Sequence, residues 1–136
     1  MHEVWHGGDR YSADITIPGR GDYSYAIESY DHPLATWLHD AEIKIGADVD
    51  SELMCTIGHQ LFEEVINKDS SAKSLLKPAI AALKDSKLAP LHRFGIASTP
   101  EIRAYCAANP LRRLASLTEK YPVRADHPRA LVGSWY

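Results

Sequence analysis

Residues 2–6, which read His-Glu-Val-Trp-His, are the sharpest match to a chemical motif in the chain. They fit the H-E-x-x-H pattern, in which two histidines hold zinc and the glutamate activates a metal-bound water. That chemistry requires a helix, because only a helix brings histidines four residues apart onto one face. A small metal-dependent hydrolase with zinc at His2 and His6 is therefore one hypothesis. The structural alternative is a terminal segment that packs Trp5 against a sheet.

Arginines are the second group with a chemical role to consider, because five of them lie between residues 103 and 129: Arg103, Arg112, Arg113, Arg124 and Arg129. Arg112 and Arg113 fall on the polar side of a leucine-bearing segment that is typical of a helix, where they could contact phosphates or carboxylates. No aromatic-interleaved basic motif accompanies them. A nucleic-acid contact is a further alternative, and a solvated helix face would look the same.

The aromatic residues favour an interface. The chain has seven tyrosines and three tryptophans but only two phenylalanines, a bias toward rings with a polar end. Tyr23 and Tyr25 lie on a predicted hairpin, and we expect Trp135, near the end of the sequence, to dock onto the domain or onto a partner. We expect these three residues, with Arg112 and Arg113, to bind another protein.

Composition limits the class of protein. The 136 residues, 45% of them apolar, suffice for one domain with its own core, and we predict a single domain over 1–136. The net charge of -3 provides no broad field for phosphates or membranes. Cys55 and Cys106 lack zinc-site spacing and are interpreted as free core thiols. The absence of a long apolar run or a secretory signal predicts a cytoplasmic protein without a membrane segment.

Strand patterns lie near the start of the chain. Residues 11–17 alternate between apolar and polar character, residues 18–21 have turn chemistry, and residues 23–30 alternate again, which predicts a hairpin. Residues 91–97 carry Phe94 and Ile96 at strand spacing and could add a third strand. The tail from Tyr121 is expected to be irregular or only briefly extended.

Helical patterns fill the middle of the chain. Pro33 is suited to the first turn of a helix capped by Asp31 or His32, and the period of four in residues 50–67 is the clearest helical pattern in the sequence. A helix over 72–86 should break or kink at Pro78. A capping box from Ser98 should start another helix that stops at Asn109, followed by a second helix from residue 110.

The expected fold is therefore α+β: a small antiparallel sheet covered by helices in two layers, with a C-terminal helical pair. The sequence contains no phosphate-binding loop, nucleophile elbow or dinucleotide fingerprint. These missing signatures, together with the tyrosines, favour a non-enzymatic protein-binding or regulatory domain that needs no cofactor. The zinc hydrolase and the nucleic-acid-contacting accessory protein stay open as alternatives.

Overall fold

The computed structural model describes the backbone of residues 2–5 and the whole of residues 10–126. Its contacts divide the chain into two compact units. The β unit is formed by the two ends of the chain, up to Glu28 and from Leu117 onward, and the helical unit is Ser29–Ser116. Helices and antiparallel strands are thus both present, which confirms the α+β class with a small antiparallel sheet. The prediction of a single domain stays a prediction.

The helical unit contains five α-helices within the described residues. They are α1 Pro33–Gly46, α2 Ser51–Lys68, α3 Lys73–Lys84, α4 Pro90–Ala97 and α5 Pro100–Ala108, with a 3-10 turn at Ser70–Ala72 before α3. Three of these helices have proline in the first turn, where the missing N–H costs no intrahelical hydrogen bond. Local sequence therefore specifies where these three helices begin.

The described strands form three pairs. β1 His2–Trp5 pairs antiparallel with β2 Arg10–Ser12, and β3 Gly21–Tyr25 pairs antiparallel with β6 Tyr121–Ala125. The short β4 Glu28–Ser29 pairs with β5 Ser116–Leu117, where the chain enters and leaves the helical unit. The predicted hairpin between residues 11–17 and 23–30 is wrong, because β2 and β3 each pair with a different strand.

Two predicted elements toward the C-terminus are also wrong. Residues 91–97 form helix α4 and not a strand, since Phe94 and Ala97 are buried at helical spacing. No helix follows Asn109 within the described residues, and residues 116–117 form β5. Helix α5 does stop before Asn109 as predicted, so only the first member of the C-terminal helical pair exists.

Two finer features of the helices differ from expectation. The N-cap of α5 is Thr99 and not Ser98, because the Thr99 Oγ1 accepts the N–H of Ile102 at 3.4 Å. Helix α3 continues through Pro78 without a break. Pro78 has no N–H for the carbonyl of Ser74, and α3 keeps its position through Leu76, Ala79 and Leu83, which are buried on one face.

Trp37 lies at the centre of the helical unit's core. Its ring meets Phe62 edge-on at 5.2 Å and Phe94 at 6.0 Å, and its indole N–H donates to the carbonyl of Met54 at 2.8 Å. Gly58 lies against the same ring, and a Cβ at this position would be 2.6 Å from the Trp37 Cε2. Helices α1 and α2 are therefore held close together by contacts that allow little change in side-chain size.

A buried arginine joins α4 to α2. Arg93 is 2% exposed, and its guanidinium donates to both carboxylate oxygens of Glu52, at 2.8 and 2.9 Å. Its Nε donates to the carbonyl of Leu88 at 2.6 Å. The hydrogen bond from Arg93 lowers the pKa of Glu52 below its ordinary value of 4.5. This planar, two-bond geometry fixes the start of α4 against α2.

Candidate functional site

A polar row of side chains runs along the start of α1. His32 caps the helix, with its Nδ1 accepting the N–H of Ala35 at 3.2 Å, and Pro33 occupies the first turn. Because one helical turn takes 3.6 residues, His32, Thr36 and Asp40 follow one another on the same face. This row lies beside the buried stripe that includes Trp37. The first three turns of α1 therefore place polar groups at the edge of the core.

The polar row borders an open cleft of about 360 Å³ between α1 and α2. The floor of the cleft is apolar and is formed by Trp37, Met54, Ile57 and Leu61. The indole hydrogen bond of Trp37 to Met54 fixes two of these residues relative to each other. The floor is therefore preformed, as is usual for small-molecule sites of this size.

The loop that follows α5 contributes Arg113 to the lining of the cleft. Three consecutive residues, Arg112, Arg113 and Leu114, anchor this loop. The Arg112 guanidinium lies 4.5 Å from the centre of the Tyr30 ring. The Arg113 Nε donates to Glu64 Oε1 at 3.2 Å, and its Nη2 donates to Glu64 Oε2. The N–H of Leu114 donates to Asp31 Oδ1 at 2.8 Å. The loop is thus tied to α2 and to the start of α1.

The arginine of the cleft is paired with a glutamate. The hydrogen bond from Arg113 is the main cause of the lowered pKa of Glu64, and Lys68, at 3.0 Å, adds to it. The same contact with Glu64 raises the pKa of Arg113. Asp31 and Asp40 also line the cleft. The lining therefore has two carboxylates, while its arginine is already neutralised by Glu64.

The arrangement suits a neutral ligand with many hydroxyl groups. The carboxylates accept hydrogen bonds, and the Arg113 Nη1, which is not used in the contact with Glu64, donates them. The apolar floor can contact C–H groups of the same ligand. Within the described residues, no cluster of three or more His, Cys, Asp or Glu side chains could hold a metal ion.

The structure separates the residues that the sequence grouped as one binding surface. Tyr23 is half-buried and donates through its hydroxyl to the carbonyl of Gly19 at 2.9 Å, and Tyr25 packs against Tyr121 at 5.3 Å. Both tyrosines belong to the β unit, whereas Arg112 and Arg113 belong to the helical unit. Of the two arginines, only Arg113 lines the cleft, and its charge is already paired with Glu64.

The remaining predicted site residues lie at the two ends of the chain. His2 is in strand β1, and a strand does not provide the helical spacing that the H-E-x-x-H chemistry requires. His6 and Trp135 lie outside the described residues. The zinc hypothesis therefore lacks its helix. None of the helices in the described residues combines the length and hydropathy needed to span a membrane.

Sequence reasoning missed the cleft. In the sequence, Asp31 and His32 are recognisable only as helix-capping residues. Nothing in the sequence places Asp40 in a binding site with them. The available signal was the spacing of His32, Thr36 and Asp40, three polar residues at intervals of four beside an apolar stripe. Such a row indicates one polar face of a helix. That Arg113 lies in the same cleft depends on the path of the loop that follows α5.

Comparison with known proteins assigns the chain to a class, that of domains within larger carbohydrate-transferring enzymes. The family model described as "Alpha-1,4-glucan:maltose-1-phosphate maltosyltransferase, domain N/S" matches residues 1–127. The chain therefore belongs to this domain N/S family.

Enzymes named α-1,4-glucan:maltose-1-phosphate maltosyltransferase match the whole chain. Two α-1,4-glucan:maltose-1-phosphate maltosyltransferases of Streptomyces coelicolor are 36% and 34% identical to it over 139 residues. That of Arcanobacterium haemolyticum is 33% identical over the same length. Each match covers 100% of this chain and 20–21% of the relative. The chain thus spans about a fifth of the length of the curated relatives it matches.

These matches correct the functional prediction. The sequence favoured a non-enzymatic protein-binding or regulatory domain, and this prediction is wrong because the family is a domain of an enzyme. The error has a physical cause. The motifs whose absence was taken as evidence belong to catalytic sites, and one domain of a multidomain enzyme need not contain the catalytic motif.

Proposed function

We propose that the protein carrying this chain is an α-1,4-glucan:maltose-1-phosphate maltosyltransferase and that this chain forms its domain N/S. The observation that supports the proposal is the family match over residues 1–127, together with 36% identity to a relative of that name across the whole chain. The transfer moves a maltosyl group from maltose 1-phosphate to the end of an α-1,4-glucan. The bond from the sugar to the phosphate oxygen breaks, and inorganic phosphate leaves.

The cleft of the helical unit fits an enzyme that handles sugars. Its apolar floor and hydrogen-bonding rim are the two components that a polyhydroxylated ligand requires. The hydrogen bond from Trp37 to Met54 and the close approach of Gly58 to the Trp37 ring fix the position of the cleft floor. A preformed site avoids the entropy cost of ordering side chains on binding.

Phosphate release tests the proposal. The protein that carries this chain, at its natural length, is incubated with maltose 1-phosphate and maltohexaose, and both inorganic phosphate and product length are measured. We expect phosphate to appear together with products longer by two glucose units. Cellohexaose, which has the same sugar in β-1,4 linkage, is the control acceptor and should give no lengthened product. Phosphate release without any lengthened glucan would indicate a hydrolase and would contradict the proposal.

We propose a cytoplasmic location for the protein. The support is chemical: Cys55 and Cys106 are both free and buried, which fits a reducing compartment. Cell fractionation with an antibody to the natural protein tests this, and recovery mainly in the secreted fraction would contradict it.

A further inference from the structure

We infer that the cleft between α1 and α2 binds the neutral α-1,4-glucan and does not bind the phosphorylated donor. The inference rests on the proposed function, which brings two sugar ligands into consideration: a neutral glucan and an anionic maltose 1-phosphate. The structure discriminates between them through the charge of the cleft and the chemistry of its walls.

Charge excludes the phosphorylated sugar. Asp31 and Asp40 line the cleft, and Arg113, the arginine of its lining, is already engaged by Glu64 through two hydrogen bonds. A phosphate placed here would meet two carboxylates, and the positive charge of Arg113 that could attract it is already offset by Glu64. A neutral sugar hydroxyl meets neither penalty, because it donates to a carboxylate without bringing a charge.

Asp40 is the strongest single candidate for a sugar contact. It is half-buried at the cleft, and within the described part of the chain it has no hydrogen-bond or ion-pair partner. A half-buried carboxylate without a protein partner can exchange its water for a ligand hydroxyl without breaking an existing contact in the protein. Asp31, in contrast, already accepts the N–H of Leu114 with one oxygen.

The other groups of the cleft complete a site for a sugar ring. His32 uses its Nδ1 as the acceptor of the helix cap, so the hydrogen of the neutral ring lies on Nε2, where it is available as a donor. Arg113 retains its Nη1 as a second donor. The side chains of Ile57 and Leu61 offer an apolar surface to the C–H face of the ring. Donors, an acceptor and an apolar floor thus converge within one cleft.

Hydrogen exchange read by mass spectrometry localises the binding within the full-length protein. The probe is maltoheptaose, and the peptides to follow contain the first turns of α1 (residues 31–40) and the loop after α5 (residues 109–115). We expect maltoheptaose to slow amide exchange in both peptides, whereas maltose 1-phosphate and cellohexaose should leave them unchanged. Protection of these peptides by maltose 1-phosphate would overturn the assignment, and so would a lack of protection by maltoheptaose.

Two variants and one control test the residues. Asp40→Ala removes the free carboxylate, and we expect roughly tenfold weaker maltoheptaose protection of the two peptides, the typical effect of losing a hydrogen bond to a charged group. Thr36→Trp fills the mouth of the cleft from an exposed position and should abolish the protection. His39→Ala, next to Asp40 but exposed and outside the cleft lining, is the control and should bind as the unsubstituted protein does.

The outcomes separate this inference from the proposed function. Phosphate release by the unsubstituted protein decides the proposed function, whereas localised protection decides the cleft. Protection that stays at full strength in both Asp40→Ala and Thr36→Trp would overturn the glucan site even if phosphate is released. Protection that all three variants lose, the control included, would indicate a general effect on the helical unit and would equally overturn it.

Discussion

The helical unit and the β unit differ in how they are stabilised. The helical unit has a continuous apolar core built around Trp37, Phe62 and Leu34. In the β unit, none of the described residues is buried, and Ile15 is 75% exposed. Its described strands are joined by ladder hydrogen bonds and by cross-strand contacts such as the one between Tyr25 and Tyr121. Short two-stranded ladders of this kind are marginally stable by themselves.

The packed core and the exposed ladders are suited to different roles in the molecule. A cleft built on a packed core keeps its geometry, because neighbouring side chains fix each rotamer. A ladder with exposed side chains tolerates substitution but positions its groups less firmly. The candidate site lies on the unit with the core, which is the unit able to hold several groups in register.

The largest expected effect follows from removing the centre of the core. Phe62 is fully buried and meets the Trp37 ring, so Phe62→Ala should lower the free energy of unfolding of the chain by about 3–5 kcal/mol. Urea unfolding followed by helical circular dichroism measures the change. The control is Leu53→Ala on the same helix, at a side chain that is 51% exposed. Similar losses for both variants would contradict the central place of Phe62 in the core of the helical unit.

The close approach of α2 to Trp37 predicts a smaller effect. Alanine normally stabilises a helix relative to glycine by about 1 kcal/mol. Here the added methyl group would overlap the Trp37 ring, so Gly58→Ala should destabilise the chain by about 1–3 kcal/mol. Gly95→Ala is the control, because its Cβ would meet open space. A more stable Gly58→Ala variant would show that the two helices can move apart at little cost.

The β unit should respond weakly. Tyr121→Ala removes the ring that packs on Tyr25 and should cost about 1 kcal/mol. Proton chemical shifts of residues 21–25 should change, while the helical unfolding transition keeps its midpoint. Tyr11→Ala, at a side chain that is 59% exposed, provides the comparison. A fall in the helical midpoint in Tyr121→Ala would mean that the two units unfold together.

Acid should reveal one ion pair of the helical unit. Because Arg93 lowers the pKa of Glu52 in the folded state, this contact stabilises the protein above pH 4.5. The contribution is lost as pH falls through the lower, folded-state pKa. Thermal midpoints measured from pH 6 to pH 3 should therefore fall less steeply in Glu52→Gln. Parallel curves for the two proteins would show that the contact contributes nothing measurable to acid sensitivity.

Local signals in the sequence predicted several helices correctly. Pro33 after a capping residue located the start of α1, and the period of four located α2. Asn109 before a proline located the end of α5. These features depend on residues within one turn of each other, so a single segment contains all the information that is needed.

Features that depend on distant residues were not predictable in this way. Strand β3 pairs with β6 from the far end of the chain, while the turn chemistry of residues 18–21 favoured a local hairpin. In α4, Arg93 is buried although arginine is normally a surface residue. The helical periodicity of buried positions was therefore not visible from the apolar residues alone. The cleft required the packing of α1, α2 and a loop, which no single segment encodes.

The pairing of β4 with β5 has an evolutionary consequence. These strands are the points at which the chain enters and leaves residues 29–116, and they lie side by side. For the continuity of the backbone, that whole segment is therefore equivalent to a loop between neighbouring strands, and insertions succeed at such sites. A single genetic insertion or deletion between these two strands can therefore add or remove the helical unit together with the cleft that it contains.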